Sequence, residues 1–434
     1  MDRAKGVKII KLITILILSV VIFGCSGQKK EDVKRIQVAY WGSYQEVKII
    51  KSIIEDWQKE HPDIIVELQH TPGVSNYTNK LLTRVAGGNP PDVAFAEVAI
   101  FVDFQSEDLF MNLNSFIEND PDFSLEDYFP DVVKRFTRDG KIYGIPRDTA
   151  PFACVYYNKR LFDEAGVSYP TDDWTWSDLL EKSKALTKKN KEGQTIVYGF
   201  YSGFYQNFIY SNGGKLVDNV EHPTRCMLDD PKTIEGLQFY ADLFTKYGVS
   251  PDPVDISNIG LGGGNELFMR GRIAMYNSGI WDTPQFRNIK DFDWDVVMFP
   301  KGPAGIRGFG TGGSAYCIMK STKYPEASWQ VVKALAADKG QIMMAEEGLA
   351  QPANRKIAEG AHWAGSLKNP LNKGMLNEAV RYVIYSPFHF KWREIEEKYL
   401  SPELDYLLLG EETAEEFAHK LTPIINEMLQ KKED

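Results

Sequence analysis

Apolar positions gather first into one unbroken run. Leu12 to Phe23 contains only two hydroxyl side chains, Thr14 and Ser19, and follows a basic start at Arg3, Lys5, Lys8 and Lys11. That order is the one an export signal takes, and a run of about a dozen residues falls well short of the roughly 20 that cross a bilayer as a helix. The run ends at Gly24-Cys25 and not at a basic stop, so residues 1–24 read as a removable signal. Residues 25–33 are short and polar, which suits a flexible tether to a folded body.

Beyond the tether the pattern changes period repeatedly. Ile36 to Trp41 is an apolar run, Val47, Ile50, Ile54 and Trp57 recur at helical spacing, and Ile64 to Leu68 is apolar again. A second helical pattern through Tyr77, Leu81 and Val85 leads to Asp92-Val93-Ala94-Phe95-Ala96. This β-α-β-α-β order predicts a parallel sheet, and such sheets hold ligands beyond the carboxyl ends of their strands. Those ends carry Trp41 to Gln45, Thr71 to Ser75 and Glu97.

Asp139-Gly140 predicts a tight turn between Phe136 and Tyr143, and Phe152 to Tyr157 is the next strand-like run. A second α/β unit starts there. Thr175 with Asp178 has the form of a capping box, Ile196 to Phe200 returns as a strand, and Pro231 opens a helix that buries Ile234, Leu237, Ala241 and Phe244. Ile273 to Tyr276, Val296 to Phe299 and Ala315 to Met319 are short strands, followed by a helix from Pro325 and a largely helical last hundred residues. Gly262-Gly263-Gly264 lacks the spacing of a phosphate loop and reads as a flexible surface loop.

Composition narrows the class. The chain has 434 residues, 43% hydrophobic and 25% charged, enough for two ordinary globular domains. The formal charge is -10, and removal of a signal holding one acid and four bases takes it to -13, which argues against nucleic-acid binding. After Cys25 only Cys154, Cys226 and Cys317 remain, which is neither a disulfide framework nor a zinc site; one bridge or buried free thiols both fit. Six scattered histidines without HExxH give no metal constellation, and no cofactor is expected.

Several segments then carry a family resemblance in order. They are Asn89-Pro90-Pro91-Asp92-Val93, Tyr143-Gly144-Ile145-Pro146, Val155-Tyr156-Tyr157-Asn158-Lys159 with Leu161-Phe162, and Phe268-Met269-Arg270-Gly271-Arg272-Ile273-Ala274-Met275 with Gly279-Ile280-Trp281. Gly312-Gly313, Glu326-Ala327-Ser328 and Gly348 with Pro352 complete the set. Together they resemble the family 1 extracellular solute-binding proteins, the receptor components of carbohydrate ABC importers. Ile22-Phe23-Gly24-Cys25 likewise resembles the lipobox of bacterial lipoproteins, in which the cysteine is lipidated; Phe23 departs from the small residue usual there. An ordinary signal peptide or an uncleaved anchor are the alternative readings.

The resemblance implies a two-lobed α/β fold of the type II periplasmic-binding-protein kind, each lobe a mainly parallel sheet flanked by helices, with crossing hinge strands near residues 147–156 and 297–303. Residues 34–150 plus 304–357 would form the N-terminal lobe. Residues 151–303 plus 358–434 would form the C-terminal lobe and helices bracing the hinge. It implies a monomeric receptor, anchored outside the cell membrane through lipid on Cys25, that hands a sugar to importer membrane subunits without making or breaking a bond.

A sugar offers apolar C–H faces and a fringe of hydroxyls, so its receptor needs aromatic platforms beside carboxylates and amides. On that ground Trp41, Glu97, Asp148, Tyr205, Gln206, Trp281, Gly313, Ser314 and Trp392 are the candidate ligand-binding residues. Each has a plainer reading as core, turn or solvated loop. The supply of aromatics, 12% of the chain, leans toward an oligosaccharide. Two rivals stay open. One is the same receptor for glycerol phosphodiesters or acidic sugars, with Arg147, Arg307 or Arg355 as anion partner; the other is a secreted glycoside hydrolase using Glu97 and Asp148.

Overall fold

The computed structural model describes residues 33–258 and 263–431. The export signal, Cys25, the tether as far as Asp32, and Gly262 lie outside the described residues. Among the described residues, two five-stranded sheets are built from β1 (Lys34–Tyr40), β2 (Ile64–His70), β3 (Val93–Glu97), β4 (Gly144–Pro146), β5 (Cys154–Asn158), β6 (Lys188–Lys189), β7 (Thr195–Ser202), β8 (Ile273–Ser278), β9 (Trp294–Met298) and β10 (Ser314–Ile318). The first has the order β2-β1-β3-β10-β4 and the second β9-β5-β8-β7-β6.

Period-two alternation divides the first sheet cleanly between two cores. Ile36, Val38 and Tyr40 of β1, Val93 and Phe95 of β3, and Tyr316 and Ile318 of β10 pack with Ile49, Ile50, Ile53 and Ile54 of helix α1 (Tyr44–Gln58). Ala39, Ala94, Ala96, Ala315 and Cys317 point the other way, onto Tyr77 and Leu81 of α2 (Val74–Ala86) and Phe101 and Phe104 of α3 (Val98–Ser106). Small residues on that face let α2 and α3 sit close. Ser43 caps α1 by accepting the Glu46 N–H.

The two-lobed α/β architecture is as the resemblance implies, but both sheets are mixed and not mainly parallel. In the first, β1 runs parallel to β2 and β3, whereas β10 is antiparallel to β3 and β4. In the second only β7 and β8 are parallel. Strands that arrive from the opposite lobe, such as β10, enter against the direction of those already there. The β-α-β reading sees only consecutive elements and so misses them.

Three chain segments lie side by side where the lobes join. Residues 147–153 run from β4 to β5, and they bond to residues 310–314 through Arg147 N–Ser314 O, Gly312 N–Ala150 O and Phe152 N–Gly310 O. On their other edge Thr149 N donates to Gln351 O and Ala353 N to Arg147 O. Before this crossing the chain remains with the second lobe past residue 304: Phe309–Gly310 pairs with Val383–Ile384, and Phe309 is buried in the second core.

Local readings fare well where the chemistry is local. Thr175 and Asp178 form a reciprocal capping box at the helix Trp176–Leu186. Asp139 and Gly140, both at positive φ, turn the hairpin between Thr137–Arg138 and Lys141–Ile142. Gly264 corrects the surface-loop reading. It begins the helix Gly264–Met269 and is buried, and an added Cβ would lie 2.5 Å from the Tyr201 ring. Cys154, Cys226 and Cys317 are all buried and unpaired. No helix among the described residues is long and apolar enough to cross a membrane.

Candidate functional site

The hinge is organised around a buried arginine. Arg147 directs Nη1 at Glu46 Oε1 (2.5 Å) and Nε at Asp148 Oδ2 (2.6 Å), with its guanidinium 4.3 Å over the Phe95 ring. Burial opposes its charge, but Asp148 and Glu46 outweigh that and hold the guanidinium above its ordinary pKa. Asp148 is only 2% exposed, and its other oxygen accepts the Ser314 N–H at 3.1 Å. Asp148 is therefore a hinge-locking carboxylate turned into the protein, a correction to its reading as a ligand contact.

Ser314 is buried in the same ladder, sharing its N–H with Asp148 and its carbonyl with Arg147. Gly313 has φ +78, and the place of its missing Cβ lies 2.5 Å from Arg135 Nη1. It leaves room for a side chain where the sequence suggested a ligand hydroxyl. Arg135 itself is fully buried, donates to the Thr149 carbonyl and the Thr311 hydroxyl, and is pushed down to about 10 by burial against the opposing charge of Asp148. Tyr205 and Trp392 also move from candidate to core. They are 7% and 2% exposed and pack in the second lobe's apolar cluster.

What the structure does gather is an aromatic wedge. Phe152, in the central crossing segment, stacks on Phe204 at 4.0 Å and 7°. Trp281 meets both edge-on, at 6.0 and 6.4 Å. All three are partly exposed, and Trp281 also touches the first lobe's core. A Cβ at residue 279 would overlap the Trp281 ring at 1.8 Å, so Gly279 is what lets the indole lie against its own backbone. Trp41, at the end of β1, is partly exposed and packs on Phe95 (4.4 Å) and Tyr77 (5.0 Å).

One carboxylate, Glu396, lines a small cavity with Phe152, and a second, Glu97, lies within electrostatic reach of Glu396. Glu97 ends β3 opposite Ser314, and burial, with a contribution from Glu397, pushes it up to about 7. Glu396 lies in the π-helical turn Glu396–Leu400; burial pushes it up to about 7 as well, against a lowering contact from Trp392 and with Glu97, Glu397 and Asp103 adding to the rise. Such turns are rare and recur at functional sites. Beside them Arg393 spans the lobes to Asp103 of α3 at 2.6 Å and also holds Glu397 at 2.9 Å.

Gln206 completes the group. Its Oε1 is buried without a hydrogen-bond partner, and it lines a cavity of about 20 Å³ with Phe152, Tyr210, Thr311, Ser386 and Glu396. That is room for about one water molecule, not for a sugar ring, so a saccharide enters this region only if the lobes part. A groove of about 1040 Å³ does exist, but it lies on the flank of the first lobe, along Trp57, His61, Phe123, Tyr128 and Met343. It lacks both the wedge and the carboxylates.

Of the sequence candidates, then, Trp41, Glu97, Gln206 and Trp281 are partly exposed. Phe152, Phe204 and Glu396, which join them in the ring cluster and the small cavity, are not among those candidates. Phe152 is hidden in a strand-like run, and Phe204 stands beside the candidate Tyr205. Nothing in the local pattern marks Glu396, whose carboxylate lies within electrostatic reach of Glu97 and Asp103. Among the rivals' residues, Arg147 is fully engaged and Arg307 donates to the Phe299 carbonyl. The Glu97–Asp148 pair does not face open space on both sides, since Asp148 is locked by Arg147.

These features define a hinged, two-lobed ligand receptor. The family model for bacterial extracellular solute-binding proteins matches residues 41–342, and the chain belongs to that family. It is similar to the arabinooligosaccharide-binding protein of Halalkalibacterium halodurans, 27% identical over 65% of this chain; the match spans 63% of that relative, just under two thirds of its length. The arabinooligosaccharide-binding protein of Bacillus subtilis is 25% identical over 74% of each chain. An ABC substrate-binding protein of Listeria monocytogenes, solved in complex with cycloalternan, superposes with a TM-score of 0.82 at 25% identity, covering 92% of this chain and 100% of that one.

Proposed function

We propose that this protein is an extracytoplasmic receptor that captures an oligosaccharide between its lobes and delivers it to an ABC importer, with no bond made or broken. The observation that carries the reading is the wedge of Phe152, Phe204 and Trp281 at the hinge, with Phe152 lining a small cavity beside Glu396. Flat rings meet the C–H faces of sugars, and carboxylates accept their hydroxyls in charge-assisted bonds. The sugars bound by the arabinooligosaccharide-binding relatives support the same ligand class.

Calorimetric titration against arabino-, malto- and xylo-oligosaccharides tests it. At least one should bind saturably, and Trp281→Ala should weaken that binding by about 2 kcal/mol, roughly thirty-fold, as for a central aromatic anchor. A folded variant with unchanged affinity removes Trp281 from the site.

Attachment of the receptor to the membrane through lipid on Cys25 belongs to the same proposal, and the lipobox-like Ile22-Phe23-Gly24-Cys25 supports it. A lipid anchor keeps the receptor beside its permease, although one chain alone holds only weakly. Cys25→Ser should shift the protein from the membrane pellet to the soluble fraction. Equal retention of both forms in the pellet would point to another anchor.

A further inference from the structure

The three rings of the wedge come from three separate stretches of chain, yet one buried knot of polar side chains lies behind them all. Ser202 ends β7 and stands opposite Asn277 of the parallel strand β8, so their side chains share a face of the sheet. Asn207 lies on the helix Tyr205–Ser211 that follows. Ser202 and Asn207 are fully buried, and Asn277 is 1% exposed. Ser202 Oγ donates to Asn277 Oδ1 at 2.8 Å, and Asn207 Nδ2 donates to the same oxygen at 3.1 Å.

The other bonds of the knot end on the backbone that carries the rings. The Phe152 carbonyl accepts both Asn207 Nδ2, at 2.8 Å, and Asn277 Nδ2, at 3.0 Å. Asn277 Nδ2 also donates to the Cys154 carbonyl at 2.9 Å. Asn207 Oδ1 accepts the N–H of Gly310 at 3.0 Å, and the Gly310 carbonyl in turn accepts the Phe152 N–H. Ser202 Oγ accepts the Phe204 N–H at 3.1 Å, and Trp281 follows directly from the strand that holds Asn277.

A buried polar group costs stability unless it is bonded, and apolar side chains would fill this space without that risk. What bonded amides add is direction. Both N–H donors of each asparagine are used, and turning either amide over would set its oxygen against the Phe152 carbonyl. Upstream, Arg147 ties the same crossing segment to Glu46 of the first lobe. Phe152 is therefore where the segment changes from first-lobe to second-lobe partners.

We infer that Ser202, Asn207 and Asn277 are positioning residues of the saccharide site: they touch no ligand, but they hold Phe152 beside Phe204 and Trp281 on the second lobe, so that the stacking platform stays assembled when the lobes part. The inference rests on the receptor reading above and deepens it. A platform already in place removes an ordering cost that binding would otherwise carry, and the difference appears as affinity.

A double-mutant cycle separates positioning from general stability. The full chain without its signal is titrated with whichever neutral arabino-, malto- or xylo-oligosaccharide binds. Asn277→Ala should weaken binding about tenfold in the natural sequence, and should cost nothing further when Phe152 is already replaced by alanine, because the ring it positions is then gone. Ser202→Ala, which removes one side chain's bonds with little change of volume, should weaken binding about threefold with the same dependence on Phe152. Urea denaturation of the same proteins supplies the contrast: Asn277→Ala should lower stability alike in both backgrounds, since the Phe152 carbonyl is present in each.

Affinity losses that simply add overturn the inference and leave the receptor reading standing. So does unchanged affinity in folded Asn277→Ala and Ser202→Ala variants; if Asn277→Ala does not fold, Ser202→Ala decides alone. Unchanged affinity in Phe152→Ala removes that ring from the site and overturns the inference with it. Failure of every saccharide to bind overturns the receptor reading itself, and the inference falls too.

Discussion

Arg147→Met is expected to destabilise the protein by about 3–5 kcal/mol, the cost of removing one partner from a buried ion pair. The substitution roughly preserves volume, so lost packing is the smaller part. The larger part is that Glu46 and Asp148, 7% and 2% exposed, would be left facing each other without a cation. Both must then lose their charge or find water, and the central crossing segment is where they would seek it. Urea denaturation at pH 7 reads the effect directly. A loss under about 1 kcal/mol would mean that water already reaches the hinge and screens the triad.

The second large effect is in the dependence of stability on pH. Glu97 and Glu396 are held near 7 in the folded protein against an ordinary value of 4.5, so the native state binds protons that the unfolded chain has released. The stability they contribute is fully present below about pH 4.5 and is lost as pH rises through about 7. Two and a half units in one group correspond to about 3 kcal/mol, and the two carboxylates titrate as a coupled pair.

The groups that face them are Asp103 on α3, Arg393 and Glu397 on the C-terminal helices, and Tyr205 and Tyr210 on the helix Tyr205–Ser211. Burial raises Asp103 as well, with Arg393 opposing it, so Asp103 reinforces the same sign. Melting temperature should therefore fall between pH 5 and pH 8 in the natural sequence. Glu396→Gln should flatten that fall and melt higher above pH 8. Parallel curves for the two proteins would show that Glu396 titrates as an exposed carboxylate does.

The sequence was most readable where neighbours in the chain settle the matter. Thr175 and Asp178 are three residues apart and cap each other, and the alternation of β1 and β3 sorts side chains between two faces without reference to anything distant. It was least readable where a residue's fate depends on a partner far along the chain. Asp148 looks like a polar hinge residue from sequence, yet Ser314, which donates to it, lies 166 residues away, and its neighbour Arg147 is tied in turn to Glu46, 101 residues away. Glu396 shows the converse. It sits in an ordinary run of glutamates, and only the fold brings its π turn within electrostatic reach of Glu97 at the end of β3. Gly264 reads as part of a flexible surface loop because Tyr201, the ring that needs its missing side chain, lies on a strand about sixty residues earlier.

The three segments that join the lobes limit how they can move. Residues 147–153 are bonded along both edges, to 310–314 and to 351–353, by five backbone hydrogen bonds. Sliding one segment past another would break those bonds together, whereas folding the band across its width spreads small φ and ψ changes over all three. The lobes can swing like a door on a strap of three layers, and the strap keeps the door from slipping in its frame. Each swing therefore returns Phe152 to the same position relative to Gly310.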